Sequence, residues 1–359
     1  MINLYGLKIS PFTAKVRSYL QYKSISYKEI FVTMLEQYNF IKKKTGTMYI
    51  PVVSLDDGEV LQDSSAIIDH FEEENKSNLV TPSGPKQKLA SALLEVYGDE
   101  WMVPFSCLHY RWNYPENYDY ILPEFGRMAF RFAPKSIKYW IGNKLSMRFR
   151  SLMPKLGLTA EICEAVEQRH EMLLSLLNEH FQQHEYLLGD RPCLGDFALF
   201  GPLYAHLYLD PAPGKLMKDK APYLASWVEK MADHPKSSGD FVANDEIPKM
   251  IERLLKIIIE DSIPLLLESA RRVDDWAENN PNEKKLPGAL SGMNFTLLDK
   301  KSTRVVATAP VWKLQRVLDC LKLNESTTSE LLGIVGGSEL LAYKQRARVV
   351  RKNNKVVLC

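Results

Sequence analysis

The chain has 359 residues, enough for two to three domains at about 150 residues each. Hydrophobic residues make up 45% and charged residues 25%, the balance of an ordinary globular protein, which excludes disordered, collagenous and disulfide-scaffold classes. The formal net charge of +2 is too close to neutral for the whole chain to be an electrostatic nucleic-acid binder, and no nucleic-acid partner is expected.

The five cysteines, Cys107, Cys163, Cys193, Cys320 and Cys359, are widely spaced and form no C-x-x-C. That usage fits free thiols in a reducing compartment, and no metal site is expected. The most apolar run, Ile257 to Leu267, is interrupted by Glu260 and Asp261. Stable membrane insertion is therefore not expected, because a bilayer span needs roughly 18 apolar residues. Ile2 to Leu7 reads as a strand without the marks of a secretory leader, so a cytoplasmic location is the expectation.

Over the first 80 residues strand-like and helix-like segments alternate. Ile2 to Gly6 reads as a strand, Pro11 to Tyr22 as a helix, Ser26 to Val32 as a strand and Met34 to Lys43 as a short helix. Val52 to Leu55 and Val60 to Gln62 flank Asp56-Asp57-Gly58, a hairpin signal, and Ser64 to about Asn75 closes the series as a helix. This βαβαββα order implies a mixed sheet covered by helices.

Thr81-Pro-Ser-Gly-Pro-Lys reads as a linker, placing a first domain at 1–80. Amphipathic helical patterns follow over Pro85 to Trp112, Leu122 to Arg150, Ala160 to His184, Gly195 to Leu209 and Pro222 to Ala232, an all-helical second domain at 85–245. A C-terminal extension, 246–359, opens with helices over Ile247 to Glu260 and Ile263 to Glu278. A loop from Asn279 to Gly292 and mixed helix and strand signals complete it.

Three stretches carry chemistry. In Ile9-Ser10-Pro11-Phe12, Ser10 suits a helix N-cap and Pro11 the first helical position, so the Ser10 hydroxyl stands where a helix favours an anion. In Tyr49-Ile50-Pro51-Val52-Val53 the proline opens an internal strand, where a cis Ile50-Pro51 bond would present the Ile50 backbone to an extended peptide. In Gln62-Asp63-Ser64 an acid and a hydroxyl sit at a second helix N-terminus, able to meet an ammonium and a carboxylate. Each also has a plain reading as a cap or strand boundary. Tyr5 is a competing hydroxyl on the first strand.

Together these stretches resemble the glutathione transferase superfamily, as does Arg191-Pro-Cys-Leu-Gly-Asp196, similar to that family's capping box with Cys193 in place of the usual hydroxyl. The resemblance covers about residues 1 to 240. It implies a thioredoxin-like α/β N-terminal domain, a glutathione-transferase-like all-α domain and, outside the family pattern, a C-terminal α+β extension. It also implies glutathione as co-substrate, a small apolar electrophile as partner and a homodimer. Ser10 takes the catalytic position as a hydroxyl that stabilises the thiolate. Phe12, Ile50, Pro51, Asp63 and Ser64 take glutathione-binding positions, and Lys44 is a candidate for the glycine carboxylate.

For the electrophile, Met102, Phe105, His109 and Trp112 follow 3, 4, 3 spacing and share one helix face, with Arg111 beside them. Core packing is the competing reading of that stripe. Two basic regions stand apart: between Ile121 and Lys155 eight basic residues face Glu124 alone among interleaved aromatics, and from Lys300 onward twelve face four acids. The rivals to an enzyme are a non-catalytic glutathione or apolar-ligand binder, and an interaction module using residues 246–359.

Overall fold

The computed structural model describes residues 1–352 and 354–359. The N-terminal region folds as the alternating pattern requires. Strands β1 (Ile2–Gly6), β2 (Tyr27–Phe31), β3 (Val52–Ser54) and β4 (Val60–Gln62) form one sheet in the order β2-β1-β3-β4. β1 pairs parallel to β2 through the crossover helix Pro11–Tyr22 and antiparallel to β3, and β3 pairs antiparallel to β4. Apolar side chains on the central strands, Leu4, Val52 and Val53, are fully buried, as strands covered on both faces should be. The hairpin between β3 and β4 turns at Gly58, whose φ of +91° lies in the region that favours glycine.

The chain divides into two compact units, residues 1–79, 102–153 and 197–236 in the first and 80–101, 154–196 and 237–359 in the second. These do not follow the three consecutive domains read from the sequence: the helical region is divided between both units.

Three helical expectations are corrected. The helix read as continuous from Pro85 to Trp112 is α-helical over Pro85–Val96, a π-helix over Tyr97–Cys107 and α-helical again over Leu108–Asn113. Pro104 lies inside the π segment, where it has no N–H to give to an α-register bond. The helix read over Leu122 to Arg150 is a hairpin of two, Tyr118–Ala129 and Lys135–Arg150, broken ahead of Pro134. Its arms touch backbone to backbone: a Cβ on Gly126 would lie 1.9 Å from the Lys138 carbonyl oxygen, and one on Gly142 1.7 Å from that of Leu122. The reading Gly195 to Leu209 becomes Leu194–Ala205, and a separate helix, Pro211–Lys220, begins at its own proline.

The second unit contains the C-terminal extension. Helices Lys249–Asp261 and Ile263–Asn279 lead to the hairpin β5 (Ala289–Leu297) and β6 (Lys300–Ala307), which starts inside the expected loop. Helices Pro310–Leu323 and Glu325–Val335 follow, and the alternating tail forms the hairpin β7 (Val349–Lys352) and β8 (Lys355–Leu358). The extension shares its core with Pro85–Val96: Lys313 is buried and its Nζ donates to Asp99 Oδ2 at 2.7 Å and Glu95 Oε1 at 3.4 Å. A buried cation is tolerated where carboxylates meet it, and here both carboxylates come from the segment 95–99. In the same unit Asp196 accepts from the Cys193 N–H at 2.8 Å and the Leu187 N–H at 2.9 Å, the half of the capping box that the acid supplies.

Candidate functional site

The site forms where β1 ends and the helix Pro11–Tyr22 begins. Ser10 is the N-cap of that helix in extended backbone conformation, and its Oγ accepts from the Thr13 N–H at 3.3 Å. The accepted bond leaves the hydroxyl its own proton to donate. Thr13 in turn accepts from the Leu7 N–H at 3.4 Å, and a Cβ on Gly6 would fall 2.2 Å from Thr13 Cγ2. Glycine is therefore required for the strand and helix to meet so closely.

Opposite Ser10 the Ile50–Pro51 bond is cis and Pro51 is buried. The preceding loop is held by Gln62, itself buried on β4: its Nε2 donates to the Tyr49 carbonyl at 2.7 Å, and its Oε1 accepts from the Thr47 hydroxyl at 2.8 Å. No hydrogen bond to the Ile50 N–H or C=O is formed among the described residues, so both are open to a peptide laid beside them.

Ser10, Phe12 and Ile50 line one cavity of about 260 Å³ together with Trp112, Phe125 and Phe149. Val103, Leu108, Arg111 and His206 complete the wall from the helical side. Trp112 is thus the one residue of the expected electrophile face that lines this cavity; Met102, Phe105 and His109 do not. The reason is the π winding: five-residue spacing brings Val103 and Leu108 to one side and Trp112 after them, whereas the expected stripe assumed 3.6 residues per turn throughout. His109 is instead buried, with its Nδ1 2.8 Å from Asn113 Nδ2. Tyr5 stacks on Phe40 with centroids 4.4 Å apart and stays outside the lining.

Lys44, Asp63 and Ser64 also lie outside the cavity lining. Asp63, with a φ of +87°, caps the helix Ser64–Glu74 by accepting from the Ser65 N–H at 2.9 Å and the Ala66 N–H at 3.2 Å. Ser64 is buried and Lys44 is exposed.

Beneath Ser10 lies a polar network that sequence reading reached only through Arg111. The Arg111 guanidinium is buried and binds Asp210 with Nε–Oδ2 at 2.7 Å and Nη2–Oδ1 at 2.9 Å. It also donates to the Ala205 carbonyl at 2.7 Å and to the Ile9 carbonyl, the residue before Ser10, at 3.3 Å. Its Nη1 lies 2.9 Å from His206 Nε2. Arginine can only donate, so Nε2 accepts and the ring proton sits on Nδ1, 3.3 Å from the Cys107 carbonyl. Burial, with the Arg111 charge beside it, holds His206 well below the usual imidazole range, so it is neutral. Burial pushes the Asp210 carboxyl up while Arg111 opposes that rise. His206 and Asp210 carry no sequence pattern that would have singled them out; only the fold brings them to Arg111.

Residues 4–78 match the family model described as glutathione S-transferase, N-terminal domain, and residues 149–235 match the one described as glutathione S-transferase, C-terminal domain. Among curated proteins none matches the chain. Solved structures similar to it include a glutathione S-transferase from Rhodospirillum rubrum, 15% identical, covering 70% of this chain and 98% of that one with a TM-score of 0.42. Glutathione transferase F7 from Populus trichocarpa is 17% identical, covering 66% and 99% with a TM-score of 0.42. A glutathione S-transferase from Methylobacterium radiotolerans, in complex with glutathione sulfonate, is 18% identical, covering 68% and 98% with a TM-score of 0.42.

Proposed function

The chain belongs to the glutathione transferase superfamily, and from that premise we propose that it conjugates the thiolate of glutathione to a small apolar electrophile in the cavity at Ser10. The observation that carries this reading is the Ser10 hydroxyl, set at a helix N-terminus inside a cavity whose other walls are mostly aromatic and aliphatic, with Arg111 and His206 among them.

The energetics are adequate. A thiol of pKa about 8.5 is only about 3% ionised at neutral pH, and lowering it by two units requires about 2.7 kcal/mol of anion stabilisation. A hydrogen bond to a charged acceptor gives about 1.5–3 kcal/mol and a helix N-terminus about 0.3–1 kcal/mol. Ser10 donates to the sulfur, the neutral His206 adds no competing charge, and Ile50 offers its backbone to the cysteinyl unit. Phe12 and Pro51 flank that unit, Asp63 and Ser64 hold the γ-glutamyl end, and Lys44 meets the glycine carboxylate. The electrophile occupies the space between Trp112, Phe125 and Phe149 in place of the expected Met102, Phe105 and His109 face. Attack by sulfur on the electrophilic carbon expels the leaving group or adds across an activated double bond, so no thiol of the protein enters the reaction.

We assign the working form as a cytoplasmic homodimer, which the family pattern supports and size measurement on the purified protein checks. Calorimetric titration with glutathione followed by a panel of apolar electrophiles tests the function. Binding with turnover that Ser10→Ala depresses supports it. Retention of glutathione without turnover of any electrophile leaves only a binding protein, and absence of binding removes the reading altogether.

A further inference from the structure

The helical hairpin Tyr118–Ala129 and Lys135–Arg150 has two unlike faces. Inward, Phe125 and Phe149 line the cavity. Outward, the second arm buries only Gly142 and Ser146, and Ile137, Trp140, Lys144 and Met147 follow one another at 3, 4, 3 spacing along its open side. Trp140 is 59% exposed, Met147 61%, and in the connecting turn Phe130 is 60% and Phe132 93%. Several large apolar side chains exposed on one helical hairpin mark an interaction site.

Charge selects the occupant. Eight basic residues lie between positions 121 and 155, against the single acid Glu124, which Arg127 meets at 3.5 Å. Two of these cations ride on the exposed rings: Lys144 Nζ lies 3.8 Å from the Trp140 ring centre, and the Arg131 guanidinium 5.7 Å from that of Phe132. A second copy laid face to face would oppose the exposed cations Arg131, Lys144 and Arg148 to their own copies, which disfavours self-association here. Aromatic and aliphatic side chains beside long basic ones match a surface with anionic headgroups above an apolar layer.

We infer that the outer face of this hairpin docks the protein peripherally on anionic phospholipid bilayers, with Phe132, Trp140 and Met147 entering the headgroup boundary and Lys144, Arg148 and Arg131 meeting the lipid phosphates. The contact is reversible and needs no spanning segment; no helix among the described residues is long and apolar enough to cross a membrane.

Co-sedimentation of the full-length protein with vesicles of phosphatidylcholine, alone or with phosphatidylserine, tests this. The expected result is binding to the anionic vesicles only, released by high salt. Lys144→Gln with Arg148→Gln should weaken partitioning about 25-fold, at about fivefold per cation removed. Phe132→Ser with Trp140→Ser should abolish it, with circular dichroism unchanged in both variants. Equal binding to neutral and anionic vesicles, binding that neither variant alters, or no binding to either vesicle would overturn the inference. A monomer-to-dimer shift that the Trp140 change abolishes, without vesicle binding, would assign the face to a second copy instead.

Discussion

Replacing Arg111 with methionine removes the donor of four protein hydrogen bonds to Asp210, Ala205 and Ile9, at 2.7, 2.9, 2.7 and 3.3 Å, together with the contact to His206. What remains is Asp210, fully buried and without its counter-charge. Removing one partner of a buried ion pair costs about 3–5 kcal/mol, because the other charge is left uncompensated in a poorly polarisable interior. Asp210, already pushed up by burial, would answer by taking a proton, which places the cost toward the lower end of that range. Equilibrium urea unfolding of wild type, Arg111→Met, Asp210→Leu and the double variant reads the outcome. Each single change should destabilise by about 3 kcal/mol or more, and the double variant should recover most of that loss, since no unpaired charge is then buried. The reasoning fails if Arg111→Met costs less than about 1 kcal/mol, or if the two losses simply add.

Ser10→Ala should raise the pKa of bound thiol by about one to two units and lower conjugation at neutral pH about 10- to 100-fold, as loss of about 1.5–3 kcal/mol requires; stopped-flow spectroscopy reads both. The same change removes a helix cap, so the thermal midpoint should fall by the equivalent of about 1 kcal/mol. Gly142→Ala places a Cβ 1.7 Å from the Leu122 carbonyl oxygen, and should cost about 1–3 kcal/mol in denaturant while loosening the cavity wall. His206 is held below its unfolded value of about 6.5. Its contribution to stability is therefore present above that value and lost as pH falls toward the folded pKa. Relative to His206→Gln, wild type should lose stability on acidification with a slope approaching about 1.4 kcal/mol per pH unit, measured by urea unfolding across that window.

Local rules made the sheet and the entry to the site readable. The helix Pro11–Tyr22 begins and ends at the residues its cap and proline indicated, and the Asp57-Gly58 turn joins the expected strands. Ser10 and Ile50 face one cavity because both sit at junctions whose chemistry is written in adjacent residues. The other cavity wall was misread because π winding depends on how Pro104 and its neighbours pack, and spacing arguments presuppose one helical period. The break before Pro134 carried its own signal in that proline, which the amphipathic pattern on either side of it outweighed in the reading. Arg111 lies far in sequence from His206 and Asp210 and meets them only after folding, so their network has no local signature. Gln62 was read as a strand end and part of a helix-entry stretch, but its hold on the loop was not, since its partners are carbonyl and hydroxyl groups of 47–49.

The ionisation of glutathione sulfur on the protein tests the mechanism most directly. Titrating the ultraviolet absorbance of the thiolate in the binary complex should give a pKa about two units below that of free glutathione, returning most of the way toward it in Ser10→Ala. A bound thiol that titrates as it does in water would contradict the account, because the Ser10 hydroxyl and its helix would then do nothing for the sulfur.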